Sequence, residues 1–287
     1  MPIIRWERPT KYNRRAVGLL DMQDLYRLLA VELLDHLNSQ QRYALYCTPL
    51  SISALFATYS KQKDLLLHRY ESFVQHAQSG RCTYISIFDD GYPPYLKEAP
   101  WAPLVLMLKG EGDLNHLMMA IIGSNRATSN SMQAAFDLGL WCADNDIAVI
   151  AGFSKAIDQH AYRGSFSQGG KAFAVLGGGI EQIHAMEQKT VTSFLKKGGV
   201  FISAAFPFDP SLIHLYPKRN YLIAALCHEV VVIEASMYGA AYQTALWALE
   251  LGKEVAVHQG GFPCSGNHQL VLDGAPIIEF SRLPVVY

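Results

Sequence analysis

The sequence predicts an α/β fold, a doubly wound and mostly parallel sheet with a small helical region in front of it. Three observations carry this expectation. Six short apolar segments recur between residues 113 and 287 at intervals of roughly 24 to 29 residues, close to the about 30 residues that one strand–helix–strand unit occupies. The segments are continuous apolar runs, the pattern of strands covered by helices on both faces. Each interval also holds a stretch long enough for a helix.

In chain order, residues 16–80 read as helices. LDMQDLYRLLAVELLDHL places apolar residues at mixed three- and four-residue steps, and PLSISALFATY and KDLLLHRYESFVQHAQ continue that style. Residues 81–112 change character. CTYISIF is β-rich, DDGYPPYL and APWAP are turn-rich, and LVLMLKG is a short apolar strand. The expected organisation is therefore a helical domain over 1–80, a connecting β segment over 81–112 and an α/β domain over 113–287. The six strands of the last begin near Met118, Ile147, Lys171, Val200, Glu229 and Lys253.

Composition bounds the function. The chain has 287 residues, of which 50% are hydrophobic and 17% charged, which supports a buried core and argues against disorder. The net charge of −1 points to no nucleic-acid partner in bulk, but a local basic patch suffices for one. The five cysteines are an odd number, widely spaced and without a CxxC pair. They fit neither a disulfide framework nor a zinc site and read as buried free thiols in a reducing cytosol. The basic start MPIIRWERPTKYNRR has no apolar core behind it, so no signal peptide is expected, and no run reaches the length of a membrane span.

In doubly wound sheets ligands bind beyond the carboxyl ends of the strands, so the loops there are the candidates. The first is Gly123-Ser124-Asn125-Arg126, a turn from strand to helix that can hold phosphate or simply cap the helix. The second runs from Gly152 and Phe153 through Lys155 to Asp158, with Arg163 one helical turn on. Lys155 stands just before a helix, where the dipole disfavours a cation unless an anion is near. The third carries Gly177-Gly178-Gly179, but Gln182 breaks the GxGxxG dinucleotide pattern, and no Walker A sequence is present. The fourth is Tyr216-Pro217-Lys218-Arg219-Asn220-Tyr221, with two more cations in a first helical turn started by proline. The fifth follows Glu234 and includes Gly239 and Thr244. The histidines His160, His184, His214, His228, His258 and His268 are scattered, with no HExxH and no GxSxG, so no nucleophilic or metal-assisted hydrolysis is indicated.

Taken together these loops resemble, in order and spacing, the DprA/Smf family of bacterial DNA-processing proteins. The segments that carry the resemblance are IGSNRATSNS, AGFSKAIDQHAYRGSF, GGKAFAVLGGGIEQIHAMEQ, SAAFP, LYPKRNYLIAAL, VVVIEASMYGAAYQTALWALELGKEVAVHQG and GNHQLVLDGA, with SIFDDGYPPYL and PLVLMLKG upstream. The resemblance covers about residues 20–278. It implies a Rossmann-like domain behind a small helical domain of the SAM or helix-hairpin-helix kind. It also implies binding of single-stranded DNA without chemistry, loading of the RecA recombinase in DNA uptake and recombination, a homodimer, a cytoplasmic location, and no cofactor or metal. The winged-helix domain of some members is expected to be absent.

The chain departs from the family pattern at several positions. Asn125 replaces an arginine, with Arg126 beside it, Tyr162 replaces a histidine, Tyr221 replaces the second arginine of RNR, SAAFP lacks a glutamate, and His258 replaces a proline. Lys155, Asp158, Gly164, Pro217, Arg219, Asn220, Gly239 and Thr244 follow the pattern. On this reading phosphates sit on the amides of 123–126, Lys155, Arg126, Lys218 and Arg219 supply charge, and a base stacks on Tyr221 or Phe153. Two other readings remain open. One is a nucleotide-processing enzyme of the phosphoribohydrolase kind, although MYGAAYQTA lacks the paired glycines and nearby glutamate of those enzymes. The other is a nucleotide-sensing or protein-binding relative without DNA affinity.

Overall fold

A computed structural model describes residues 22–211, 215–261 and 263–278. The basic first fifteen residues, the start of the first helical stretch and His214 lie outside the described residues. Four helices come first, α1 (Met22–Glu32), α2 (Ser39–Tyr46), α3 (Ile52–Tyr59) and α4 (Lys63–Gln78). Leu28, Leu29, Leu34, Leu55 and Phe56 form their fully buried interior. α2 starts with a reciprocal capping box between Asn38 and Gln41, and Ser51 caps α3. The Arg27 guanidinium on α1 donates to the carbonyls of Tyr46 (2.6 Å), Leu50 (2.8 Å) and Thr48, which fixes the turn between α2 and α3.

The next two strands, β1 (Thr83–Ser86) and β2 (Val105–Lys109), flank the short helix α5 (Pro94–Lys97). The six expected strands follow as β3 (Met118–Gly123), β4 (Ala148–Ala151), β5 (Ala172–Val175), β6 (Val200–Ser203), β7 (Glu229–Glu234) and β8 (Glu254–His258), each starting within one residue of its expected place, with a short β9 (Ile277–Ile278) after them. The helices between them are α6 (Ser129–Asp144), α7 (Ile157–Ser167), α8 (Gln188–Lys196), α9 (Tyr216–Leu226), α10 (Ala240–Glu250) and α11 (Ser265–Leu272). β4, β5 and β6 are buried at every position, as strands covered on both faces must be.

All nine strands form one sheet in the order β1-β2-β6-β5-β4-β3-β7-β8-β9. β2 pairs antiparallel with both β1 and β6, and the remaining pairs are parallel. The segment read as a connector thus forms one edge of the main sheet. From β3 the chain steps outward through β4, β5 and β6, and then returns to place β7 on the other side of β3. Loops leaving β3 and β7 therefore diverge, and the crevice between them is the topological switch point, where ligands bind in such folds.

The helical region is tied to the sheet by a buried ion pair. Arg42 bonds Glu32, the other Glu32 oxygen accepts the Leu104 amide at 2.8 Å, and Arg42 also donates to the Ala102 carbonyl at 3.2 Å. Burial pushes the Glu32 carboxyl up and Arg42 opposes it. The cysteines are all free, but only Cys142 and Cys227 are buried, and Cys47 is exposed. The expectation of five buried thiols therefore holds for two, because Cys47 falls just past the end of α2 rather than on its core face.

Candidate nucleic-acid interface

The crevice at the switch point is a cavity of about 540 Å³ bounded by the loops after β3, β4, β5 and β7 and by the first turn of α9. Of the expected residues, Gly123, Ser124, Asn125, Gly152, Phe153, Lys155, Asp158, Gly177, Arg219, Asn220, Gly239 and Thr244 line it. Arg126, Arg163, Lys218 and Tyr221 do not.

The loop after β4 is the most constrained part. Phe153 has a φ of 69°, a left-handed conformation that costs an aromatic residue energy and persists only when its surroundings enforce it. Asp158, 4% exposed on α7, enforces it. One carboxylate oxygen accepts the amides on either side of Phe153, Gly152 at 3.1 Å and Ser154 at 2.7 Å. Burial raises the Asp158 pKa, while the Ser154 amide and the Arg219 charge oppose the rise. Asp158 therefore shapes the loop rather than touching a ligand. The bend turns the Phe153 ring inward, 4.8 Å from Phe201 and 5.1 Å from Phe194 between ring centres, and leaves Lys155 exposed at the mouth, with no ion-pair partner among the described residues.

Arg219 forms the opposite wall. Its guanidinium lies 5.3 Å above the Tyr216 ring and against Gly152, where any Cβ would land on it. A side chain at 152 would therefore displace the Arg219 guanidinium from this position. The Arg219 Nε is buried without an acceptor among the described residues. Three helices, α7, α9 and α10, begin at this cavity, and none has a side-chain cap. Their unsatisfied amides and positive dipole ends suit an anion. Two cations and one acid, Asp158, line the cavity, and that acid is already engaged.

Several expectations are corrected here. The amides of 123–126 are not a free phosphate cradle: Ser124 N donates to the Glu234 carbonyl at 2.7 Å, and Arg126 N to the Ser124 hydroxyl at 3.1 Å. The helix after this turn is closed by its own Thr128 cap, and the Glu234 carboxylate accepts the Thr128 amide at 3.0 Å. Arg126 is exposed and does not line the cavity, so Asn125 is the residue of this turn at the lip. Arg163 points to solvent from α7. Lys218 pairs with Asp35 at 2.7 Å and faces a neighbouring cavity. Tyr221 is 7% exposed, edge-on to Trp247, and its hydroxyl accepts the Trp101 amide at 3.2 Å. Neither Tyr221 nor the packed Phe153 is a free stacking platform. Asn220 donates to the Ala240 carbonyl at 3.3 Å and holds α9 to the start of α10, while the Thr244 hydroxyl donates to the same carbonyl at 2.8 Å within α10. Tyr162 is buried, and its hydroxyl donates to the Phe173 carbonyl at 3.0 Å. The sequence reasoning gave no role to Ser154 or Ser236, which also line the cavity, and named Tyr216 only as the start of its loop. Ser154 was signalled only by its place between Phe153 and Lys155.

The fold is a doubly wound α/β sheet whose switch-point cavity, lined by Lys155 and Arg219, suits an anion. The family model of DNA recombination-mediator protein A matches residues 83–282, and the chain belongs to that family. It is 30% identical over 196 residues to the DNA processing protein DprA of Streptococcus pneumoniae, across 67% of this chain and 70% of that protein. It is 33% identical over 196 residues to protein Smf of Escherichia coli, across 65% of this chain but only 51% of that one. The X-ray structure of the pneumococcal DprA superposes with a TM-score of 0.72 at 23% identity, over 91% of this chain and 95% of that one. A structure describing the single-stranded DNA binding mode of DprA from Helicobacter pylori gives 0.62 at 20% identity, over 69% and 93%. Both share the fold.

Proposed function

We propose that this protein binds single-stranded DNA through the switch-point cavity and acts as a recombination mediator. The observation that carries the reading is the convergence of Lys155, Arg219 and three helix starts without side-chain caps on one cavity whose single acid is committed to its own loop. Phosphates of the strand occupy that cavity. Membership of the recombination-mediator family and the DNA-binding mode described for the Helicobacter pylori relative support it. In this reading the protein works in the cytoplasm as a homodimer and helps load RecA during DNA uptake. Among the described residues no helix is long and apolar enough to cross a membrane.

A hydrolytic reading is less well supported. Glu234 does not line the cavity, and Asp158 is buried with one oxygen holding the amides of Gly152 and Ser154. Incubation with nucleoside monophosphates is expected to release no free base.

The direct test is an anisotropy titration of labelled single-stranded and duplex oligonucleotides at two salt concentrations. Binding is expected to favour single strands, tolerate sequence and weaken with salt. Equal, salt-insensitive affinity for both forms would sink the reading. In the same assay Lys155→Ala should lower affinity about tenfold and reduce the salt slope by about one, the signature of one lost phosphate contact. Asn125→Arg adds a cation at the bare lip and should raise affinity roughly threefold to tenfold, on the order of one charge-assisted contact. A flat response would show that the strand does not cross that lip.

A further inference from the structure

The rings that line the anion cavity are already occupied: Phe153 packs inward, and Tyr216 lies under the Arg219 guanidinium. The second cavity, of about 400 Å³ between the helical region and the sheet, shares Leu176, Gly177 and Arg219 with the first. Its Tyr221 and Trp247 rings are packed edge-on against each other at 5.4 Å. An open ring stands instead at the rim of the first cavity. Tyr238, in the loop between β7 and α10, is 85% exposed, the most exposed large hydrophobic side chain among the described residues. Ser236 before it and Gly239 and Ala240 after it line the anion cavity. The backbone at Tyr238 has a φ of 62°, a left-handed conformation that is a genuine outlier for a bulky residue. Glycine adopts it freely, yet the glycine of this loop, Gly239, stands one position later with a φ of −72°. The loop is pinned on both sides of the ring. The side chain of Asn267, fully buried on α11, accepts the Ala235 amide at 2.6 Å, the Ser265 hydroxyl accepts the Met237 amide at 3.0 Å, and the Gly239 amide donates to the Ser236 carbonyl at 3.0 Å. Tyr242, one turn into α10, meets the Tyr238 ring edge-on at 6.5 Å between centres. A strained backbone persists only when its surroundings enforce it, and such positions gather at ligand clamps. Here the strain is held without burying the ring.

We propose that Tyr238 is the stacking platform for a base of the single strand whose phosphates lie in the first cavity. The proposal rests on the phosphate reading of that cavity. A phosphate at the uncapped start of α10, beside Gly239 and Ala240, puts the base of an adjoining nucleotide within reach of the ring next to it in the chain. Every base has a π-face, so one exposed ring adds affinity without sequence preference. In a duplex those faces are already stacked on one another, so the platform favours single strands. A ring this exposed encloses nothing, and the contact depends on the phosphate anchored beside it; the partner is therefore a strand rather than a free base.

The test titrates the full chain and its Tyr238→Gly and Tyr238→Phe variants with a thymidine oligonucleotide and with an abasic deoxyribose-phosphate oligomer of equal length, alongside thermal melts and sedimentation. Glycine removes the ring and relieves the left-handed backbone, so affinity and stability are expected to part. Tyr238→Gly lowers thymidine-oligomer affinity about fivefold to tenfold, the loss of one stacked base, leaves abasic affinity unchanged and melts no lower than the wild type. Tyr238→Phe keeps the platform and binds both oligomers as the wild type does. A ring that merely braces the loop gives a different pattern, a parallel fall in both affinities with a lower melting temperature, and that result overturns the proposal. Unchanged thymidine-oligomer affinity in Tyr238→Gly also overturns it and leaves the phosphate reading standing; a loss of sedimenting mass in the same variant would assign the ring to a second copy of this chain. Failure of the wild type to bind even the abasic oligomer overturns the phosphate reading and the platform with it.

Discussion

Arg219→Ala is expected to abolish most single-strand binding, lowering affinity by about 30- to 100-fold at moderate salt. A hydrogen bond to a charged group contributes about 1.5–3 kcal/mol, and its loss alone corresponds to roughly 10- to 150-fold. Arg219 is held where that contact is productive. Its guanidinium rests on the Tyr216 ring and against Gly152, and it stands between the two cavities. Its charge also favours the ionised form of the buried Asp158, which grips the Lys155 loop. Removing it therefore takes away a direct contact and loosens the loop that presents the other cation. Arg219→Lys should recover only part of the affinity, because a compact ammonium cannot reproduce the planar fork over the tyrosine ring. The measurement is the anisotropy titration, with a urea melt to check folding. A folded Arg219→Ala protein that binds single strands as tightly as wild type would remove the anion from this cavity.

The fold was legible in the sequence where physics made it local. Buried parallel strands are continuous apolar runs that end at a glycine or small polar turn, so β3 through β8 could be placed to within a residue. β1 and β2 were visible as strands, but their membership of the main sheet depends on the pairing of Met107 with Ser203, nearly a hundred positions along, and no local pattern encodes that. The site was half legible for a related reason. Loop position told which segments meet, so Lys155, Gly152 and Arg219 were found. It did not tell which way a side chain turns within a helix. Lys218 and Arg219 are adjacent, yet the step of about 100° between them sends one only to the second cavity and lets the other line both. Tyr221, on the next turn of the largely buried α9, could not be told from an exposed stacking residue because that helix has no polar face to set its phase. The turn after β3 misled differently: its amides are used in contacts to Glu234 and Ser124 that only the folded chain reveals.

The second large effect is on stability, and it falls on Gly164. α6 and α7 cross in backbone contact through two glycines. A Cβ on Gly164 would land on the Phe136 carbonyl, and one on Gly139 would land on the Ala161 carbonyl. Two opposing terms decide the outcome of Gly164→Ala. Alanine is favoured over glycine within a helix by about 0.5–1 kcal/mol. Against that, overpacking a close-packed contact costs about 1–3 kcal/mol, and here the obstacle is backbone, which cannot rotate away. The clash wins, and Gly164→Ala should lower the melting temperature by several degrees, at about 2–4 °C per kcal/mol for domains of roughly this size. Gly164→Val adds two methyls beyond alanine and is expected to prevent native packing of the pair altogether. The effect should reach the site, because α7 carries Asp158 and Tyr162, and a displaced α7 slackens the grip on the amides of Gly152 and Ser154. Gly164→Ala protein assayed well below its melting point should therefore also bind single strands more weakly, although residue 164 lines neither cavity. An unchanged or raised melting temperature would mean that helix propensity outweighs the contact and that α6 and α7 are free to separate.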